Sequence, residues 1–234
     1  MRQSAKREQV PIVLDVAEFQ RLLGELQLRE RVLVWVSMTT GLRRGELAGL
    51  KWSDVSFEKL TMNSVRSVVD QKVGKVKTEA SKKPIPIDPY VAQDLLGWYH
   101  TTKYVRPDDY VFATDAARAG KLRGKQPLWL AKVMQYHIQP AAKRAGISKT
   151  IGWHTFRHSY TTLLHANGED IKVVQELLRH GSAKVTMDVY AQAVTQAKRT
   201  AQRRVVASLR SETRSQGCVP KMSPAQDPGL TVSH

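Results

Sequence analysis

The chain has 234 residues, 41% of them hydrophobic, which suits a folded globular protein and argues against a disordered one. Its 37 Lys and Arg residues outnumber 21 Asp and Glu, and the net charge of +16 favours a polyanionic partner, foremost nucleic acid, over a merely solvated basic surface. A single cysteine (Cys218), no apolar run longer than 32–36 and a polar stretch at 1–9 argue against a disulfide framework, a Cys-based zinc site, a membrane span and a secretory signal, and predict a cytoplasmic protein.

The first half of the chain predicts three helices and a small sheet. Residues 1–9 predict a flexible basic lead, and Asp15 is a suitable N-cap for the first helix. The apolar face of this helix, at helical spacing, comprises Val16, Phe19, Leu22, Leu23 and Leu26. Two further helices are predicted over 29–39, closing near Gly41, and over 44–50.

Residues 55–87 lose the helical period and predict one small antiparallel sheet with a long hairpin. Valines and isoleucines alternate there with breaks at Gly74, Pro84 and Pro86. Because proline cannot donate to a strand ladder, Pro84 and Pro86 are expected at an edge of the sheet.

The second half is predicted to be helical. A helix over 89–100 precedes a polar loop at 114–126, and a longer helix covers 128–145. Asn167-Gly168 ends a helix over 154–166, and Asp170 caps the next, which runs to His180. The last predicted helix carries an apolar stripe between Val194 and Leu209, and the polar residues 211–234 predict a disordered tail. The fold class predicted from this order is α+β, mostly α.

Six residues are suited to phosphodiester chemistry: Arg43, Lys77, His154, Arg157, His180 and Tyr190. Arginine offers a fork of donors that matches phosphate oxygens, and histidine can donate a hydrogen bond or carry a proton near neutral pH. A tyrosine hydroxyl can hold a phosphoryl group covalently. Such a set predicts a site that cuts a phosphodiester without metal.

Four segments carry these residues in a familiar order. They are Thr39–Val55, Lys77–Ile87, the H-T-F-R-H-S-Y run containing His154 and Arg157, and the L-L-R-H-G-S-A-K-V-T-M-D-V-Y run containing His180 and Tyr190. At these segments the chain resembles the tyrosine recombinases, the phage integrase family. The resemblance spans about 10–193 and implies a catalytic domain over 10–210, built of helices with one small antiparallel sheet.

The resemblance implies a division of labour among the six residues. Arg43 and Arg157 neutralise the non-bridging oxygens, and the i, i+3 spacing of His154 and Arg157 predicts that both reach one phosphate from one helix face. Tyr190 attacks and is left as a 3′-phosphotyrosine. In the family pattern His154 has an acid–base role, His180 supports the phosphate by a hydrogen bond, and Lys77 protonates the leaving 5′ oxygen.

Several assignments keep an alternative. Glu46 matches an acidic residue that orients the family's site, or is an ordinary solvated helix glutamate. Lys77 could be a solvated or phosphate-contacting hairpin lysine like its neighbours, and three other histidines are predicted to be surface or packing residues: His137, His158 and His165.

The chain departs from the family pattern in two places. Arg179 stands where the family usually has glycine before the histidine, so a bulky cation could crowd the phosphate or add a DNA contact. The helical core-binding domain of most members has no counterpart, which predicts either a compact member or a truncated prophage remnant.

The predicted function is site-specific DNA recombination with double-stranded DNA as partner and with no metal, small-molecule cofactor or membrane. Other recombinase protomers are expected to assemble on the DNA. The alternatives are a non-catalytic DNA-binding remnant and a type IB topoisomerase, which shares the chemistry but relaxes supercoils without pairing two sites.

Overall fold

The first helix begins at Asp15, as predicted. The Asp15 carboxylate accepts a hydrogen bond from the Glu18 N–H at 2.8 Å, and the Glu18 carboxylate accepts one from the Asp15 N–H at 2.9 Å. This reciprocal cap satisfies two backbone donors that a helix N-terminus otherwise leaves unpaired. The computed structural model describes residues 11–75, 83–115, 120 and 122–179.

Helices dominate the described residues. They are α1 (Val16–Gly24), α2 (Leu28–Thr40), α3 (Arg44–Ala48), α4 (Pro89–Thr101), α5 (Leu130–Val133), α6 (Gln139–Arg144), α7 (Trp153–Ala166) and α8 (Ile171–Leu177), with a short 3₁₀ turn at Trp52–Asp54. The buried helix α2 packs against α7 and α4, and its apolar side chains belong to the hydrophobic core. None of the described helices is long and apolar enough to cross a membrane.

A π-helical turn interrupts the helix predicted over 128–145. The segment begins at Leu130, two residues later than predicted, and Met134–Ile138 joins α5 to α6. Pro140 has no N–H to donate to the preceding turn, and the Gln139 N–H bonds to the Met134 carbonyl five residues back. The proline therefore accounts for the altered ladder within an otherwise continuous helix.

The strands form two antiparallel units among the described residues. A three-stranded sheet has the order β1 (Val55–Ser56), β2 (Thr61–Met62), β5 (Ile85–Pro86), and a separate hairpin pairs β3 (Arg66–Val69) with β4 (Lys72–Lys75). Pro86 lies on the edge strand β5, as predicted. The mostly helical fold class with a small antiparallel sheet is confirmed.

The remaining helix predictions agree with the structure to within a few residues. Asp170 caps α8 by accepting from the Lys172 N–H at 2.7 Å, and Asn167 follows the end of α7. The basic lead, the stripe between Val194 and Leu209 and the 211–234 tail lie outside the described residues.

Candidate active site

Gly41 fixes the position from which Arg43 projects. It ends α2 with a left-handed backbone (φ 61°), and its N–H donates to the Ser37 carbonyl at 3.2 Å. A Cβ at this position would lie 2.7 Å from Leu178 Cδ2, so both the conformation and the close packing require glycine. The chain can therefore turn sharply, and Arg43 precedes the first residue of α3.

Glu46 is buried and carries the hydrogen bonds that hold Arg43. The residue is only 4% exposed. Its Oε1 accepts from Arg43 Nη1 at 2.9 Å, and its Oε2 accepts from the Arg43 backbone N–H at 3.1 Å. The alternative of a solvated helix glutamate is therefore wrong.

The carboxyl group of Glu46 stays ionised in spite of its burial. Burial alone would raise its pKa, but the charge of Arg179, the Arg43 N–H and the charge of Arg43 together lower it below the ordinary 4.5. Glu46 is thus a fixed negative charge at neutral pH.

The side chain of Arg157 is buried, whereas that of His154 is exposed. It is 6% exposed, and its guanidinium donates to the Gly41 carbonyl and, at 2.6 Å from Nη2, to the Leu178 carbonyl. Burial, helped by the charge of Arg43, lowers its pKa to about 9, so Arg157 remains a cation at neutral pH. The i, i+3 spacing places both residues on α7, but Arg157 turns inward and donates to two carbonyls, whereas His154 reaches solvent.

Arg179 also turns inward. Its backbone is left-handed (φ 52°), the residue is 2% exposed, and Nη2 donates to Glu46 Oε2 at 2.8 Å. It therefore presents no cation to solvent in the described conformation, which argues against a direct contact of Arg179 with DNA. A single sequence gives no signal for this pairing, since Glu46 and Arg179 are 133 positions apart.

His154 lies at the mouth of a cleft of about 740 Å³. Its side chain reaches solvent near the start of α7, and the cleft is also lined by Arg43, Arg44, Glu46 and Ser67. Desolvation by the surrounding side chains, followed by the charges of Arg157, Arg44 and Arg43, lowers the pKa of His154 below its ordinary 6.5. His154 is therefore neutral at pH 7 and able to accept a proton.

His158, predicted to be a surface or packing residue, is half-buried one helical turn after His154. The two imidazole rings are 6.3 Å apart. Burial, then the charges of His154 and Arg157, lowers the pKa of His158. It adds no positive charge to the site at neutral pH.

Positive charge exceeds negative charge around Glu46. Three guanidinium groups, those of Arg43, Arg157 and Arg179, act on one carboxylate, and their mutual repulsion contributes to the lowered pKa values of Arg157 and Arg179. We name these four residues the Glu46 cluster. Within the described part of the chain, the arrangement favours the binding of an anion. No group of three or more His, Cys, Asp or Glu side chains among the described residues could hold a metal ion.

Two glycines that the sequence analysis did not single out bring a strand against α3. A Cβ on Gly45 would lie 2.8 Å from the Val68 carbonyl oxygen, and a Cβ on Gly49 would lie 2.7 Å from the Arg66 carbonyl oxygen. Their i, i+4 spacing places both on the same face of the α3 segment, and this spacing was visible in the sequence. Hairpin β3–β4, which precedes Lys77 in the chain, is thereby held against the helix of Glu46.

Comparison with known proteins decides the family. The model of the phage integrase family matches residues 7–197, most of the chain. The chain belongs to the phage integrase family.

Individual relatives of this integrase-family chain are tyrosine recombinases. It is 31% identical over 198 residues to tyrosine recombinase XerD of Mycobacterium leprae, covering 82% of the chain and 57% of the relative. It is 29% identical over 201 residues to tyrosine recombinase XerA of Thermococcus onnurineus, covering 85% and 61%. The chain therefore spans less than two thirds of the length of either relative.

Solved structures confirm the fold of the integrase-family chain. The crystal structure of XerA recombinase superposes with a TM-score of 0.62 at 22% identity, covering 85% of this chain and 66% of that one. The Tn1549 transposon integrase in complex with a circular intermediate DNA gives 0.67 at 18% identity, covering 84% and 68%. At these identities the similarity establishes the architecture alone.

The structure brings together four of the seven residues proposed for the integrase-type site. Arg43 and His154 line one cleft, Glu46 bonds Arg43, and Arg157 lies close enough for its charge to act on His154. Lys77, His180 and Tyr190 lie outside the described residues.

Proposed function

We propose that this integrase-family chain carries the catalytic domain of a site-specific DNA recombinase, over residues 10–210. The observation that carries the proposal is the excess of guanidinium groups over carboxylates in the Glu46 cluster, next to a cleft that contains a neutral histidine. A phosphodiester is an anion that needs charge neutralisation as its transition state forms. Family membership supplies the reaction class, and the charge excess supplies the local physical reason.

The substrate phosphate would lie against Arg43. The side chain of Arg43 is 41% exposed, and its Nη1 donates to Glu46. The remaining N–H donors of the guanidinium can therefore point into the cleft. Arg157 contributes its charge from behind, since two of its nitrogens already donate to carbonyls. Arginine has five N–H donors, which leaves capacity for a phosphate oxygen.

The covalent step follows from the residues that the family pattern places around that phosphate. The Tyr190 oxygen would attack phosphorus and lose its proton, with neutral His154 available as an acceptor near the phosphate. The bond between phosphorus and the 5′ oxygen then breaks, and Lys77 would give that oxygen a proton. The products are a 3′-phosphotyrosine and a free 5′ hydroxyl. His180 would donate a hydrogen bond to the phosphate.

The proposed partners are double-stranded DNA and other recombinase protomers assembled on it. The charge of +16 provides a phosphate-directed attraction that weakens with salt. We further propose that the reaction needs no metal or other cofactor and takes place in the cytoplasm, on DNA of prophage origin. Residues 1–9 and 211–234 are proposed to be extensions of the catalytic domain.

A covalent-trapping assay tests the function. Nicked duplexes drawn from the DNA that flanks the chain's own gene would trap a protein–DNA adduct, because the cleaved fragment diffuses away. We expect the parent chain to form an adduct in excess EDTA and Tyr190→Phe to form none while still binding DNA. Tyr160→Phe is the matched control, because Tyr160 lies on α7 and packs beside Gly41 instead of serving as nucleophile.

The outcomes separate the rival functions. Adduct formation with relaxation of a supercoiled plasmid, but without joining of two sites, would indicate a topoisomerase. DNA binding by the parent chain without any adduct would indicate a non-catalytic remnant. Adduct formed by Tyr190→Phe would assign the nucleophile to another residue, and dependence on added magnesium would contradict the metal-free reaction.

A further inference from the structure

Arg179 connects two elements that are distant in sequence. It follows the end of α8, and its side chain crosses to α3, where Nη2 meets Glu46 Oε2 at 2.8 Å. Both partners are almost fully buried, with side-chain exposures of 1% and 4%. Because a buried ion pair has to recover the cost of desolvating two charges, such a pair needs good geometry and further hydrogen bonds.

The second oxygen of Glu46 shows what this contact controls. With Oε2 held by Arg179 and by the Arg43 backbone N–H, the plane of the carboxylate is fixed, and Oε1 is directed to Arg43 Nη1 at 2.9 Å. Loss of the Arg179 bond would remove one of the two donors to Oε2 and loosen the last side-chain torsion, which is a broad one. Arg179 and the Arg43 guanidinium are thus bonded to opposite oxygens of one carboxylate.

The backbone at Arg179 is held in the conformation that makes this possible. Its left-handed φ of 52° is uncommon for a residue with a side chain, and the preceding Leu178 carbonyl is fixed by Arg157 Nη2 at 2.6 Å. Arg157 and Glu46 thus hydrogen-bond to consecutive residues after the end of α8, Leu178 and Arg179.

We propose that Arg179 is a positioning residue that, through Glu46, orients Arg43 toward the substrate phosphate. The inference rests on the proposed function for the identity of that phosphate, and on the structure for the contacts. Its consequence is that the arginine at this position serves the reaction without contacting the substrate.

The ionisation of Glu46 gives a readout that a simple packing role would not alter. Burial favours the neutral carboxyl group, and Arg179 opposes it by its charge, as do Arg43 beside α3 and Arg157 on α7. His154, whose pKa is lowered by burial and by nearby arginines, lines the same cleft and is present in every variant compared. Removal of Arg179 should therefore raise the pKa of Glu46 and release Arg43 in mild acid.

The experiment compares Arg179→Gly, Arg179→Lys and Glu46→Gln with the parent chain, each checked for folding by urea unfolding. Glycine suits the left-handed backbone, and lysine retains the charge. In single-turnover trapping, Arg179→Gly should slow adduct formation severalfold more in mild acid than at neutral pH, because loss of the Arg179 charge raises the pKa of Glu46. Arg179→Lys should restore most of the rate, and Arg179→Gly should add no further acid loss in the Glu46→Gln background.

A second measurement needs no cleavage. Arginine NMR without DNA reports how fast the guanidinium of Arg43 rotates, with exposed Arg44 as the internal reference. We expect Arg43 to rotate slowly in the parent chain and faster in Arg179→Gly in mild acid, while Arg44 is unchanged. Faster rotation of Arg43 supports the positioning role even if the parent chain forms no adduct, a result that would reject the proposed function alone.

Two results would overturn the positioning role. One is an Arg43 rotation rate that is the same in Arg179→Gly and the parent chain. The other is an adduct rate in Arg179→Gly that falls uniformly with pH in proportion to the folded fraction, which would make Arg179 a structural ion-pair residue only.

Discussion

Two buried carboxylates of this chain are paired in opposite ways. Asp54 accepts from one guanidinium, that of Arg66, and from the Lys51 N–H at 2.8 Å, and Arg66 completes its bonding at the Gly49 carbonyl at 3.1 Å. We call this the Asp54 pair. Glu46, in contrast, has two arginines bonded to it and a third acting on it from Arg157.

This difference in charge balance distinguishes a contact that stabilises the fold from a cluster suited to bind an anion. The Asp54 pair has one charge of each sign, and it ties β3 to the segment after α3 without any need for a further ion. The Glu46 cluster carries two positive charges in excess, an arrangement that costs free energy until an anion arrives. Excess cationic charge near a cleft is therefore the feature on which the proposed site rests.

Removal of one arginine from each group gives the largest predicted contrast. Arg43→Ala should slow adduct formation about 10²–10³-fold, as expected for loss of a donor that stabilises transition-state charge. Arg66→Ala should slow it little per folded molecule, because Arg66 belongs to the Asp54 pair. Single-turnover trapping at saturating DNA measures both. Equal losses in the two variants would show that the charge excess has no special role.

Stability should change in the reverse order. Arg66→Ala leaves the Asp54 carboxylate buried without its cation and should lower the free energy of unfolding by about 3 kcal/mol. Arg43→Ala removes a partly exposed positive charge from a cluster that has positive charge in excess. It should lower the free energy of unfolding by about 1 kcal/mol or less. Urea unfolding at neutral pH checks both values. A larger loss in Arg43→Ala than in Arg66→Ala would mean that Arg43 serves the fold.

Local signals in the sequence predicted the fold well where they are strong. The cap at Asp15, the cap at Asp170 and the edge position of Pro86 all depend on chemistry within a few residues, and the structure confirms each. The π turn was not predicted, because the apolar residues keep a regular helical period across it. Pro140, which has no N–H to donate, was the available signal.

The sequence named candidate site residues but not their geometry. Motif order identified Arg43, Glu46, His154 and Arg157, but a motif does not say which side chain is buried. The inward turn of Arg157 toward Gly41 and the Glu46–Arg179 bond join segments more than 100 positions apart. Such contacts follow from tertiary packing, which a single sequence does not encode in any local pattern.

Gly45 precedes Glu46 on α3 and contacts β3, the strand that carries Arg66. A substitution at Gly45 can therefore disturb both the Glu46 cluster and the Asp54 pair. An alanine Cβ there would lie 2.8 Å from the Val68 carbonyl oxygen, so β3, which carries Arg66, would have to move away from the helix of Glu46. Gly45→Ala should destabilise the fold by about 1–3 kcal/mol, the usual cost of overpacking. Gly24→Ala is the control, because a Cβ at Gly24 would meet nothing within 4 Å. Thermal unfolding compares them, and equal stabilities would mean that hairpin β3–β4 does not need this close approach.

The smallest predicted effect concerns which arginine charges lower the pKa of His154. Desolvation, and then the charges of Arg157, Arg44 and Arg43, lowers the pKa of His154, whereas Arg66 is not among the causes. If neutral His154 accepts a proton, adduct formation should fall in acid, with the limb below the ordinary histidine pKa of 6.5. Arg44→Ala removes one of the opposing charges, so the pKa should rise toward 6.5 and the acid limb of the profile should move to higher pH. Arg66→Ala should leave the limb in place.

Histidine NMR, with the His154 signal assigned by its loss in His154→Gln, measures the same pKa directly. A limb above the ordinary histidine pKa in the parent chain would contradict the lowered pKa of His154. A limb that moves equally in the Arg44 and Arg66 variants would show that the field around His154 comes from the whole basic surface. Movement in Arg44→Ala alone would localise that field to the cleft and separate it from the balanced Asp54 pair.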